Sequence, residues 1–260
     1  KHAISKGVNV LMYPEAGYSL DGTATPIPKL GKLVKMLGVP VVFIKTEGAY
    51  TRDPLYNELR IRKVPVSATV STLFSKEDIK NLSAEELDAG LDLAFTFDNF
   101  EWQKEKHISV NTPDRANGLE RTLYLCPHCK AEGQMKGEGT YIRCEACGKS
   151  YLLTEFGQLK ANEGETEFSH IPDWYRWERE QVRNEIVNGS YHFEDDIRIE
   201  DYYSNRVGLI PVGNGHVVHD KNGFRITGEV DGNPFELNKP VASNYSVHIE
   251  YDFLGRGDAF

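Results

Sequence analysis

Apolar and polar positions follow both strand and helix periods in the first part of the chain, and strand periods alone near its end. Residues 8–13, Val-Asn-Val-Leu-Met-Tyr, are a short apolar run stopped by Pro14, the pattern of a buried strand. Over residues 28–37, Leu30, Leu33, Val34 and Leu37 recur at i, i+3, i+4 and i+7. That spacing predicts an amphipathic helix with Pro28 near its start and Gly38 just past its end. Residues 40–45, Pro-Val-Val-Phe-Ile-Lys, predict a second buried strand. Strand, helix and strand in this order predict a right-handed crossover, and with it a parallel pair in an α/β sheet. Alternation around Val66, Ala68, Val70 and Thr72 predicts a further strand, and Ser83 with Glu86 has the spacing of a capping box opening a helix that runs to about Phe97.

Residues 172–188 predict another helix, with Trp174, Trp177, Gln181 and Val182 on one face and Gly189 as its stop. Packing of that aromatic face in a core is favoured over a role as partner anchors for Trp174, Tyr175 and Trp177. From Tyr191 onward, turn signals at Lys221-Asn222-Gly223 and Asp231-Gly232-Asn233 separate apolar runs, with strands expected at 207–212, 223–230 and 245–253. The acidic cluster Glu194, Asp195, Asp196, Glu200 and Asp201 lacks the glycine-turned loop of a calcium site and reads as a solvated charge run.

The strongest chemical signal is the four cysteines, Cys126, Cys129, Cys144 and Cys147, in two C-x2-C knuckles. Each knuckle can present two thiolates to one tetrahedral ion, so the spacing predicts a zinc ribbon holding structural Zn2+. Tyr124-Leu125 and Tyr141-Ile142-Arg143 read as its strands. With all four positions filled by sulfur, no open site remains to activate water. The alternative is a pair of disulfides, but no secretory signal pattern precedes them, so reduced thiols and a cytoplasmic setting are expected. Composition limits the partners. Net charge is −9, and across residues 122–150 Lys130, Lys136, Arg143 and Lys149 are nearly matched by Glu132, Glu138 and Glu145. Nucleic-acid binding would show a clustered basic excess, so none is expected. At 260 residues and 40% hydrophobic content the chain can bury a sizeable core. It opens on Lys1-His2 without an initiator methionine and reads as a piece of a longer protein.

Tyr13-Pro14-Glu15-Ala16-Gly17-Tyr18-Ser19 follows the first expected strand, at the end of a strand where open α/β sheets bind ligands. A carboxylate, a glycine and two hydroxyls beside a proline suit a polar head group; a solvated glutamate in a strand-exit loop is the plain alternative. The segment resembles the third motif, of type Phe-Pro-Glu-Gly-Thr-Arg-Ser, of the glycerophosphate and lysophosphatidate acyltransferases. Pro28-Lys29-Leu30-Gly31, the helix after it, Val39-Pro40-Val41 and Leu82-Ser83-Ala84-Glu85-Glu86 follow in that family's order, so the resemblance covers roughly residues 3–103.

The resemblance implies transfer of a fatty acyl group from a thioester donor, acyl-CoA or acyl carrier protein, to a lysolipid hydroxyl, with peripheral contact at the inner face of the membrane. It places Glu15, Gly17, Ser19 and Lys29 in the substrate site. It also implies a histidine general base with an aspartate five positions on, and none of the eight histidines here has one. That dyad is expected upstream of Lys1. Ala16 and Tyr18 stand where the family has glycine and a phosphate-gripping arginine, so a bidentate phosphate contact is lost and Lys29 remains as the cation. The other reading is a non-catalytic scaffold or regulatory protein built on a degenerate acyltransferase half. The expected organisation is an acyltransferase-like α/β domain over 1–120, a zinc ribbon over 121–155, a linker and helix over 156–190, and an antiparallel β module over 191–260.

Overall fold

The N-terminal crossover is not formed. In the computed structural model, which describes residues 1–204, 208–243, 257 and 259, residues 8–13 have no regular structure. Val8, Val10, Leu11, Met12 and Tyr13 are all exposed, Tyr13 to 78%. Strand β1 (Val41–Glu47) pairs instead with β2 (Ser67–Phe74), antiparallel, with Ile44 opposite Val70. The physical reason is that apolar periodicity marks a strand without naming its neighbour. Two β-branched runs joined by about twenty residues can return antiparallel, and here they do. The chain is therefore mixed α/β with antiparallel sheets.

The chain divides into two units, Lys1–Glu178 and Arg179–Phe260. The first begins with a single helical turn, α1 (His2–Ser5), and has two main cores. In one, α2 (Gly31–Leu37), α4 (Lys76–Asn81) and α5 (Ala84–Ala94) bury Val34, Ile79, Leu87 and Leu91 with Phe74 of β2. Helix α5 opens on the expected capping box: Glu86 N–H donates to Ser83 Oγ at 3.1 Å, and Ser83 N–H donates to Glu86 Oε2 at 2.7 Å. Helix α4 has a second one, between Ser75 and Asp78. A short helix α3 (Ala49–Arg52) follows β1, and α6 (Asn99–Glu105) is capped by Asp98, whose other oxygen pairs with His170 at 2.8 Å.

The larger core surrounds a four-stranded antiparallel sheet, β3 (Met135–Glu138), β4 (Tyr141–Cys144), β5 (Ser150–Leu153) and β6 (Leu159–Ala161), in that order. Ile142, Tyr151 and Leu159 are buried with Tyr56 and Phe100 from before the sheet and Ile171 and Trp174 from after it. Trp174 lies on α7 (Ile171–Asn188), is fully buried and packs edge-on against Tyr151. The aromatic face of this helix is thus core. A buried polar knot ties the loop before β2 to this core: Tyr56 Oη and Arg62 both donate to the carbonyl of Arg115.

In the second unit β7 (His192–Ser204), β8 (Gly208–Asp220), β9 (Gly223–Val230) and β10 (Asn233–Pro240) form an antiparallel meander. Two-residue turns join its last three strands. Asp231 and Gly232 both take positive φ, as the tight hairpin requires. The acidic cluster is part of β7 rather than a loop. The strand expected at 245–253 lies outside the described residues, as does Val207.

Candidate functional site

The two knuckles are the same turn made twice. Cys126 N–H donates to Ala131 O and Lys130 N–H to Cys126 O, both at 3.0 Å. In the second knuckle Cys144 N–H donates to Lys149 O at 2.8 Å and Gly148 N–H to Cys144 O at 2.9 Å. The residue after the last cysteine is left-handed in each, Lys130 at φ 65° and Gly148 at φ 78°. This conformation lets the chain double back so that both sulfurs of a knuckle face one point.

The four sulfurs face each other. All lie within 4.8 Å of one another, with Cys126 Sγ 3.9 Å from Cys147 Sγ and Cys129 Sγ 3.7 Å from Cys144 Sγ. Four thiolates about 2.3 Å from a tetrahedral ion sit about 3.8 Å apart. The same gap is far beyond the ~2.05 Å of a disulfide, and all four thiols are free. Cys126 and Cys144 are buried, while Cys129 and Cys147 face solvent. Burial pushes the Cys126 thiol up to about 12 and also raises Cys147, whereas a hydrogen bond from the Ala131 N–H brings Cys129 down to about 7. The Cys129 thiolate forms readily, whereas burial opposes ionisation of Cys126 and Cys147, a cost that a bound cation offsets. The residues fit a closed four-cysteine metal site.

Around this group Glu167 gathers three neighbours. Tyr151 Oη donates to it at 2.7 Å, His128 Nδ1 lies at 3.1 Å and Lys149 Nζ at 3.7 Å. Helix α7 supplies Glu178, which is fully buried and accepts the Leu125 N–H at 2.8 Å. Its second oxygen has no partner, and burial pushes its carboxyl up to about 8. Trp174 Nε1 donates to the carbonyl of the same Leu125 at 3.0 Å. Sequence reading missed Glu178, although a signal was present: it stands four residues after Trp174, on the apolar face.

The residues placed in the substrate site by resemblance are not gathered in this way. Glu15 and Ser19 are half-buried, Gly17 and Tyr18 exposed. Ala16 has φ 52° and donates its N–H to Tyr13 O at 3.2 Å, so it takes the backbone conformation that glycine favours. Ser19 Oγ reaches Asp21 Oδ1 only at 3.5 Å. Lys29 Nζ is paired with Asp92 of α5 at 2.6 Å, and this hydrogen bond raises its pKa. Next to it Asp88 accepts the Gly31 N–H at 2.7 Å. Gly31 lies so close to the Ala84 backbone that a Cβ has no room. The lysine and glycine of that motif are therefore engaged in joining α2 to α5. One recess of about 610 Å3 lies among Asn57, Arg60, Arg121 and Lys136, and another of about 600 Å3 among Arg198, Asn214 and His216. Neither is lined by Glu15, Gly17, Ser19 or Lys29.

Among the described residues no helix is long and apolar enough to cross a membrane. Comparison of the chain with family models, with curated proteins and with solved structures gives no match.

Proposed function

We propose that this chain is the zinc-organised part of a phospholipid-type acyltransferase, which moves a fatty acyl group from a thioester donor to a lysolipid hydroxyl. The observation that carries this reading is the ordered resemblance of residues 13–19, Pro28-Lys29-Leu30-Gly31 and the capped helix after Ser83 to that family's motifs. The left-handed Ala16 supports it, because that conformation favours glycine, the residue type of the family's motif at this position. In this reading Glu15 organises the polar acceptor site, and contact with the inner face of the membrane is peripheral. A soft, tetrahedral, four-thiolate ligand set suits Zn2+, which has a structural role here because no coordination position is open. The base that takes the acceptor's proton is not among these 260 residues, so turnover requires residues this chain does not contain.

The test is an acyl-transfer assay with acyl-CoA and acyl carrier protein thioesters against a lysolipid panel. This chain alone is expected to show no turnover. A longer protein that joins it to a His-x4-Asp segment is expected to transfer acyl groups, and Glu15→Ala in that protein to lower kcat/KM by about tenfold or more, the loss of one charged hydrogen bond. Turnover by the chain alone, or an unaffected Glu15→Ala variant, overturns the assignment. The Lys29–Asp92 pair favours a second reading, a scaffold without catalysis, because it neutralises the cation that the resemblance assigns to a phosphate. A longer protein that binds metal but transfers nothing is the result that reading expects.

A further inference from the structure

The two knuckles, alike in backbone, are held in different ways. The second belongs to the sheet: Cys144 is the last residue of β4 and pairs with Met135, and Glu145 N–H donates to Gln134 O at 2.7 Å. The first lies outside the named strands, supported locally by one bridge between Leu125 and Glu132 and by the bond from Gly133 N–H to Tyr124 O. What flanks it is α7. Leu125, just before Cys126, has its N–H bound by Glu178 and its carbonyl by Trp174, both fully buried and one helical turn apart. Lys130, just after Cys129, donates to Pro127 O at 2.8 Å inside the knuckle and rests its ammonium 4.3 Å from the centre of the Trp177 ring. One face of one helix thus grips the residues immediately before and after the knuckle.

We propose that Trp174, Trp177 and Glu178 form a clamp that positions the first knuckle and sets the metal affinity of the four-cysteine site. The inference rests on the reading of that site as a metal centre. A ligand pair that must be ordered at the moment of binding spends part of the binding energy on its own ordering, and a pair already held does not. The grip on Leu125 fixes the chain direction entering Cys126, and the Lys130 contact fixes the direction leaving Cys129. By linkage the coupling is reciprocal: if the clamp favours metal binding, bound metal tightens the first turns of α7. Glu178 acts as an acceptor for a backbone N–H, so its shape and acceptor oxygen matter more than its charge.

The experiment uses the full 260-residue chain and Zn2+ in competition with a chromogenic chelator, with Co2+ absorption reporting four-thiolate geometry. Glu178→Gln keeps the acceptor and is expected to bind within about threefold of the unmodified chain. Glu178→Leu, similar in volume without an acceptor, is expected to bind about tenfold more weakly, as is Trp174→Phe, which removes the donor to Leu125. Hydrogen exchange of the unmodified chain is expected to show residues 171–178 more protected with metal than after chelation. Equal affinities for the Gln and Leu variants, with the far-ultraviolet spectrum unchanged, overturn the clamp. Should the Leu and Phe variants fail to fold, exchange in α7 that is indifferent to metal overturns it. A chain that takes up no metal refutes the metal reading itself, and the clamp with it.

Discussion

Glu178 shows what one buried carboxyl costs and why it is kept. Its folded pKa of about 8 lies above the ordinary 4.5, because burial disfavours the charged form. Between those values the folded chain holds a proton that the unfolded chain has released, so this group's contribution to stability falls as pH rises from about 4.5 to about 8. Below that window there is no penalty, and above it the penalty is complete. Each pH unit inside it is worth about 1.4 kcal/mol. Glu178→Gln, which accepts the same Leu125 N–H without titrating, is expected to gain about 2–4 kcal/mol over the unmodified chain between pH 5 and pH 8. Urea midpoints at the two pH values check this, and parallel midpoints for both chains refute it. Sequence alone did not reveal this residue, because Glu178-Arg179-Glu180 reads as a solvated charge run; only its distance from Trp174 sets it apart. The cysteines were legible because their chemistry is local: four residues of one type at two fixed spacings imply one tetrahedral site.

Among the elements, helices were easier to read than sheets. The Ser83 box involves residues three apart, so both halves of the interaction are visible in the sequence and both bonds form. Strand β1 was visible as a run, but its partner was not, since the alternation that marks β2 carries no address. Strand β7 was hidden because its charged positions dominate the run. The α2–α5 contact gives an element-scale prediction. Gly31 is the first residue of α2, where alanine would gain less than the about 1 kcal/mol it brings in a helix interior. A Cβ there meets the Ala84 backbone, which belongs to a capped helix end and yields little. Overpacking of this kind costs about 1–3 kcal/mol, so the steric term wins. Gly31→Ala is expected to lower the thermal midpoint, and an unchanged or raised midpoint shows that α5 is free to move away.

At the scale of the molecule, the position of the four-cysteine site inside the larger core decides what metal removal does. Cys126 and Cys144 are buried in the same cluster as Tyr56, Phe100, Tyr151 and Trp174, whereas Val34, Ile79, Leu87 and Leu91 form a separate one. Metal analysis of the purified chain is expected to find one equivalent of zinc. Chelation is then expected to strip exchange protection from β3–β6 and α6 together while leaving α2, α4 and α5 protected, because the binding energy of such a site is largely folding energy. Uniform loss across all of these elements, or none, contradicts the two-core arrangement. The outward face of β1 and β2 has a different consequence. Val42, Ile44 and Val70 are exposed there, on a two-stranded sheet with no third strand among the described residues. Such a ribbon attracts its own kind at short range, while a net charge of −9 repels at long range. In colloidal terms the chain is a particle with a sticky stripe and a screened-Coulomb barrier. Added salt, which shortens that barrier to about 3 Å at 1 M, lowers its solubility rather than raising it.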